Sequence, residues 1–425
     1  MVALLLGIMI GCLILGFPMM IGMILAPLAV LALYYPVVDP MLMIQQLIAG
    51  ISPFSLLAVP MFILAADIMC TGQTAQRLLD FVDTFVGHIK GGMAITAAAT
   101  CTIFGSISGS TQATLVAIGK PMMQPMRKNG YNESHIIALM MSSANIALLI
   151  PPSICMIMYA VVTGTSVGEL FIAGIGPGLL ILLFFSVFEH FYARRNGIPV
   201  RPKYTWAQRL EGFKKALLPL GFPAIVLGGI YSGLFSPTEA AAMSVLYAAI
   251  LEIFVFKSIT FKDLPRIALS TGMVTAAVFI LVAGGQAFSW VITFAQIPQM
   301  LTTGILGTDP SALYVLAVVS IFFFIGCMFV DSIPVIIILS PIFFPVAVQA
   351  GVDPVHLGII VTLQSAIGAV TPPFGCNIFT ACAIYDRTFL HVVKGLAPYM
   401  IMFIMISVIM LLVPDIALFL VKLMY

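Results

Sequence analysis

LLIPPSICM, residues 148–156, sets Pro151 and Pro152 inside a run that otherwise reads as a buried apolar helix. An internal proline removes a backbone hydrogen bond and clashes with the preceding turn, which costs about 3 kcal/mol or more. Two in succession need a reason, and TPPFG at residues 371–375 repeats the event. Aligning the two Pro-Pro pairs sets an offset of 372 − 151 = 221. Further identities fall at that offset: Gly105 with Gly326, Gly130 with Gly351, His135 with His356, Pro152 with Pro373, Cys155 with Cys376, Gly174 with Gly395 and Pro177 with Pro398. An ungapped coincidence of Gly and Pro positions over about 75 residues is the mark of an internal duplication.

The 425 residues are 61% hydrophobic and 8% charged, against roughly 25% charged in ordinary soluble domains. Most of the surface therefore faces something other than water, and the chain reads as an all-α polytopic membrane protein. Met1–Tyr34, Leu170–Glu189, Leu217–Phe235, Ala240–Phe256 and Met400–Val413 are apolar runs suited to crossing about 30 Å of hydrocarbon with about 20 residues each. The first run lacks a basic leader region and a cleavage pattern, so it is expected to be a retained span. A net charge of +2 without a basic block excludes nucleic-acid binding. The seven cysteines show no metal-ligand spacing with the five histidines, which leaves no transition-metal site and reads them as small core residues.

Lys and Arg gather at Arg127 and Lys128, at 194–215, at 257–266, and at Arg387 and Lys394. The positive-inside rule makes these loops cytoplasmic, with the N-terminus on the same side and the C-terminus outside. Five crossings then separate equivalent points of the two copies, at 134–163, 168–193, 214–232, 238–257 and 265–287. An odd number inverts one copy relative to the other. Inverted repeats with Gly- or Pro-broken helices point to a secondary transporter whose site lies near the midplane, between the repeats.

Each copy opens with two apolar arms around a small tip, GSISGST (105–111) and GCMFVDS (326–332). Arms of 92–104, 112–126, 312–325 and 333–349 are short for spans, so both units are expected to be re-entrant hairpins whose tips reach a site. A helix broken at the paired prolines follows each, at 134–163 and 355–386, with Asn145, Ser153, Thr371 and Asn377 beside the breaks. A break frees carbonyl oxygens, which suit a hard cation such as Na⁺. It also exposes a half-helix N-terminus, whose partial positive charge suits a carboxylate. Asp331 is the one acid in either tip, and an intramembrane acid is a functional candidate that also has the chemistry of a helix cap. His135 and His356 sit at helix starts, where turn chemistry accounts for them. An intramembrane enzyme would need a paired acid, a Ser with a base or a metal set, and a channel would need a filter or charged ring; the chain has neither.

Taken together, GSISGSTQAT (105–114), LLIPPS, GLFSPTEAAA (233–242) and TPPFGCNIF (371–379) resemble the large membrane subunit of tripartite ATP-independent periplasmic (TRAP) transporters, over essentially the whole chain and most like the sialic-acid members. The resemblance implies Na⁺-driven import of a carboxylate such as N-acetylneuraminate across a bacterial inner membrane. It implies two partners, a small four-helix membrane subunit and a periplasmic substrate-binding protein, and no cofactor beyond the coupling ion. It also implies an elevator of the ion-transporter superfamily type. Residues 91–165 and 310–387 would form the moving transport domain, and 388–425 a C-terminal helix. Scaffold helices would occupy 1–90 and 166–265, with an outward-leading helix and connecting arm at 266–309. By analogy, one Na⁺ site uses Ser106, Gly109, Ser110, Asn145 and Pro151, and a second uses Gly326, Asp331, Ser332 and Thr371. Substrate would lie near Ser110, Thr111, Ser153 and Asn377. Ion and substrate ligands are not separated by sequence, and the chain lacks the Ser-Asn-Thr tips of solitary dicarboxylate carriers. Such a single-component Na⁺/dicarboxylate symporter is the alternative reading. Each elementary charge moved is worth about 2.3 kcal/mol per 100 mV, so two or more Na⁺ per anion would draw on both gradient and potential.

Overall fold

A computed structural model describes residues 1–297, 300, 307 and 310–424, all of whose regular structure is helical. Of the outward-leading helix and connecting arm expected over 266–309, residues 298, 299, 301–306, 308 and 309 lie outside them. Among the described residues, seven helices are long and apolar enough to cross a membrane, or eight with one bent pair.

The duplication is visible in the element boundaries. In the first copy, Gly92–Ser108 forms one hairpin arm, and the second runs from Thr111 to Lys128 through a π-helical stretch at Leu115–Gly119. The broken helix follows as Glu133–Ala144, its 3-10 extension Asn145–Leu148, and Ile154–Thr163. Adding 221 gives 313–329, 332–349, 354–369 and 375–384. The second copy's elements are Ala312–Phe329, Ser332–Gln349, Pro354–Ala369 and Cys376–Tyr385. No boundary differs by more than one residue. Both Pro-Pro bonds, 151–152 and 372–373, are cis.

The copies run in opposite directions. The first broken helix begins at Glu133, whose Oε1 accepts from Arg387 Nε at 2.5 Å, just beyond the end of the second. Near the other end of the first, the Tyr159 hydroxyl donates to the Pro354 carbonyl, where the second begins, at 2.9 Å. Start beside end, twice, is what an inverted pair requires.

Several elements differ from the sequence reading. The N-terminal run is two packed helices, Val2–Ile14 and Met19–Tyr34, because Gly16 takes φ +77° and Pro18 caps the second. Hairpin arms of 17 or 18 residues exceed the expected lengths, because helix continues into the tips, through Gly105–Ser108 in the first copy and Gly326–Phe329 in the second. The expected single C-terminal helix is three pieces, Phe389–Val393, Ala397–Leu412 and Asp415–Met424, the last two bent by 53° around Pro414. The signature GLFSPTEAAA is a helix start. Ser236 Oγ accepts from Glu239 N at 3.3 Å, Glu239 Oε2 accepts from Ser236 N at 2.8 Å, and Pro237 occupies the first turn, a capping box.

Packing sorts the helices into two groups. Ala58–Thr71, Pro237–Ala249, Trp206–Tyr231 and Leu264–Phe294 pack together with the N-terminal helices. The hairpins and broken helices form the other group, joined by Ala397–Leu412, Asp415–Met424 and Val167–Arg195. Segment 166–265 is therefore split, its first helix lying with the hairpins. Small residues permit these approaches: a Cβ on Gly105 would lie 2.7 Å from Ala147, and one on Gly368 would lie 2.6 Å from the Cys327 Cβ. The amphipathic helix Thr74–Val86 sits between Gly92–Ser108 and Trp206–Tyr231, linking the groups.

Candidate functional site

The hairpin tips and helix breaks surround one cavity of about 340 Å³. Gly109, Ser110, Thr111 and Gln112 come from the first tip, and Asp331, Ser332 and Ile333 from the second. Leu148, Ile154 and Cys155 flank the first break, while Ala369 and Cys376 flank the other. Ile63, Val274, Ala277, Val278 and Leu281 close it with an apolar wall from the other helix group.

Local chemistry explains why the chain turns here. Gly109 has φ +56°, and a Cβ on it would lie 2.6 Å from the Pro152 carbonyl oxygen, so tip and break touch only through a glycine. Ser110 then caps the second arm by accepting from Ala113 N at 3.5 Å. Ser153 caps the half-helix after the first break, accepting from Met156 N at 3.4 Å, and Asp331 caps the second hairpin's outgoing arm through Ile333 N at 3.2 Å. Four helix N-termini thus begin at the cavity: Thr111, Ile154, Ser332 and Cys376. Each carries partial positive charge. Helices ending at Ser108, Leu148, Phe329 and Ala369 turn their carbonyl ends to the same region. Among the cavity's lining residues Asp331 is the one charged side chain; no Lys, Arg or His lines it.

Beside the cavity a chain of side chains ties the copies together. Thr111 Oγ1 donates to Asn377 Oδ1 at 2.9 Å, Asn377 Nδ2 donates to Asn145 Oδ1, and Asn145 Nδ2 donates to the Ala366 carbonyl at 2.5 Å. Ala366 is the repeat equivalent of Asn145, so one asparagine spans the pseudo-twofold axis. Both amides are 0% exposed, where an unmade hydrogen bond costs about 1–3 kcal/mol. Ser108 Oγ pairs with Thr114 Oγ1 at 2.7 Å, holding the two arms at the first tip.

The proposed ligands therefore divide. Gly109, Ser110, Thr111, Asp331 and Ser332 line the cavity. Asn145, Pro151, Ser153 and Asn377 are buried directly behind it. Ser106 and Thr371 bond carbonyls of their own helices, Ile103 at 2.6 Å and Ile367 at 2.7 Å. Gly326 lies elsewhere, against Val335 and beside an apolar groove with the N-terminal helix. Sequence reasoning missed Gln112, which reaches Cys376 Sγ at 3.8 Å, and the lining cysteines 155 and 376. For the cysteines a signal was present, since Cys155 and Cys376 are identical at the repeat offset, whereas Gln112 is matched there by Ile333.

It also missed a buried cluster at the end of the molecule where Lys and Arg gather. His135 Nε2 meets Glu189 Oε2 at 2.9 Å, the Tyr399 hydroxyl donates to Glu189 Oε1, and Tyr192 stacks on His135 with ring centroids 3.6 Å apart. Turn chemistry does not describe His135. In the second copy His356 Nε2 meets the Met410 carbonyl at 2.9 Å, and Met410 is the repeat equivalent of Glu189.

Paired hairpins, antiparallel broken helices and a central cavity define a polytopic permease of the secondary-transporter type. The chain belongs to the tripartite ATP-independent periplasmic transporter family, DctM component, whose model matches residues 6–416. It is thus a multi-pass inner-membrane protein, the large permease subunit of a solute importer and not an enzyme. It is 55% identical over 413 residues to the ectoine/5-hydroxyectoine TRAP transporter large permease of Ruegeria pomeroyi, covering 97% of this chain and 96% of that protein. It is 52% identical to the ectoine large permease of Halomonas elongata, covering 99% of each. The sialic acid large permease of Vibrio cholerae is 34% identical over 86% of each chain. In fold, the chain is similar to the Alcanivorax borkumensis YdaH transporter crystal structure, with a TM-score of 0.63 at 14% identity, covering 88% of this chain and 87% of that one.

Proposed function

We propose that this subunit carries a small zwitterionic solute of the ectoine class inward, coupled to Na⁺, with the hairpin group moving past the other helices as an elevator. A periplasmic binding protein delivers the solute, and a small membrane subunit partners the permease. The observation that carries the substrate reading is the charge pattern of the cavity: four helix N-termini and a single carboxylate, Asp331, without a basic side chain. Helix N-termini suit a solute carboxylate. Asp331 suits a delocalised cation such as the cyclic amidinium of ectoine. A sialic acid, anionic without a cation, leaves Asp331 unanswered, and the relatives at 55% and 52% identity point the same way. Ser110, Thr111 and Gln112 would contact solute, while the carbonyl ends at Leu148 and Ala369, with Ser332, would supply oxygen to Na⁺.

The test is uptake in proteoliposomes holding the permease, its small subunit and the binding protein, under a Na⁺ or a K⁺ gradient, with labelled ectoine, N-acetylneuraminate or succinate. Ectoine should enter only with Na⁺, and Asp331→Asn should lower its uptake by about tenfold or more, the worth of one charge-assisted contact. Entry of N-acetylneuraminate or succinate in place of ectoine would refute the substrate reading. Equal ectoine uptake in K⁺ would refute the coupling.

A further inference from the structure

A second polar cavity lies away from the central site, on the Lys/Arg-rich face. It occupies about 200 Å³ between the linking helix Thr74–Val86 and the base of the first hairpin, and a neighbouring hollow shares Met93, Pro125 and Arg201 with it. The two ends carry opposite charge. Asp80 and Asp83 stand on the linking helix, and Lys128 stands on the hairpin arm, with Arg201 between them.

Arg201 is already used: its Nη1 pairs with Asp83 Oδ2 at 3.0 Å, and Tyr204 donates to the same oxygen at 2.8 Å. Asp80 accepts only the Gln76 amide at 2.7 Å, and no ion pair engages Asp80 or Lys128 among the described residues. Thr96, on the cavity lining, is 1% exposed, and its hydroxyl has no hydrogen-bond partner. A carboxylate outside any ion pair and an unused buried hydroxyl on the cavity, with an ammonium outside any ion pair on the adjoining hollow, match a ligand with a hydrogen-bonding cation at one end and an oxyanion at the other.

We propose that this cleft binds the phosphoethanolamine group, its ammonium at Asp80 and its phosphate at Lys128 and Arg201, and so clasps the linking helix to the first hairpin. That chemistry comes from two sources, the headgroup of phosphatidylethanolamine or a free cytoplasmic phosphoethanolamine. Because the clasp joins the linking helix to a hairpin, occupancy restrains movement of one against the other.

The experiment reconstitutes the complete transporter in phosphatidylcholine vesicles, with and without phosphatidylethanolamine. Lipid retained on the purified transporter is counted by native mass spectrometry, and soluble phosphoethanolamine is titrated in parallel. Retention of the ethanolamine lipid over the choline lipid, about tenfold weaker in Asp80→Asn and in Lys128→Gln, is expected. Binding of the soluble compound alone, weakened by the same substitutions, would make the source cytoplasmic. Failure of both probes to bind, or binding insensitive to both substitutions, overturns the proposal. The readout is binding, so it is independent of which solute the central cavity carries.

Discussion

The two copies share boundaries to within a residue, yet one is sealed and the other open. Pro151 and Pro152 are buried, and the first tip is locked by Ser108, Thr111 and Thr114 hydrogen bonds. Pro372, Pro373 and Asp331 are exposed, and the second tip meets its break through the rings of Phe329 and Phe374, 5.4 Å apart. Polar networks fix a single arrangement because leaving a member unpaired is costly; an aromatic contact tolerates sliding. The first copy thus frames the cavity and the second supplies its open side and its one charge.

The largest expected effect breaks that asymmetry at the histidines. Glu189→Ala strands two groups in a closed interior, the His135 ring nitrogen and the Tyr399 hydroxyl, at about 1–3 kcal/mol for each unpaired buried group. His356→Ala leaves only the Met410 carbonyl unserved, at about 1–3 kcal/mol. Thermal unfolding of the purified permease should rank Glu189→Ala clearly below His356→Ala. Equal melting temperatures would mean that the carboxylate contributes nothing special to the first copy.

A smaller effect is expected where the copies join. Asn145→Ala removes a donor to Ala366 and an acceptor from Asn377, loosening the wall behind the cavity. Solute uptake should fall about tenfold or more, since a buried carbonyl and a buried amide each lose a partner, while Ala366→Ser, which leaves the accepting carbonyl in place, should transport normally. If Asn145→Ala also transports normally, the cross-copy chain is not needed for the site's geometry.

Much of this was legible in the sequence because proline and glycine act locally. Pro151, Pro152 and their partners at the 221 offset mark breaks wherever they stand, so the repeat followed; its inversion came from the Lys/Arg-rich loops and the odd number of crossings between the copies. Gly109 and Ser110 announced the first tip for the same reason. What stayed hidden depends on distant packing. No local signal joins Glu189 to His135 and Tyr399, or tells that Gly326 faces Val335 and not the cavity. Helix Val167–Arg195 was assigned with its sequence neighbours, whereas its packing partners are Gly92–Ser108 and the C-terminal helices. The cysteines at 155 and 376 were read by burial preference alone, and their recurrence at the offset was the better guide.

The smallest expected effect concerns the two ends where the broken helices meet. At one, Glu133 holds Arg387 at 2.5 Å and Arg127 at 3.4 Å, with arginine side chains 39% and 46% exposed. At the other, Tyr159, a fully buried side chain, donates to the Pro354 carbonyl. Glu133 and Pro354 are repeat equivalents, so the same position is gripped once by charge and once by a neutral hydrogen bond. Exposed pairs contribute under about 1 kcal/mol and weaken with salt, whereas a buried neutral bond contributes about 1 kcal/mol regardless of salt. Tyr159→Phe should therefore lower the unfolding midpoint equally at low and high NaCl. Glu133→Gln should lower it less, and only at low salt. A salt-independent loss in Glu133→Gln would show that this end is closed more tightly than its exposure implies, and would remove the difference between the two ends.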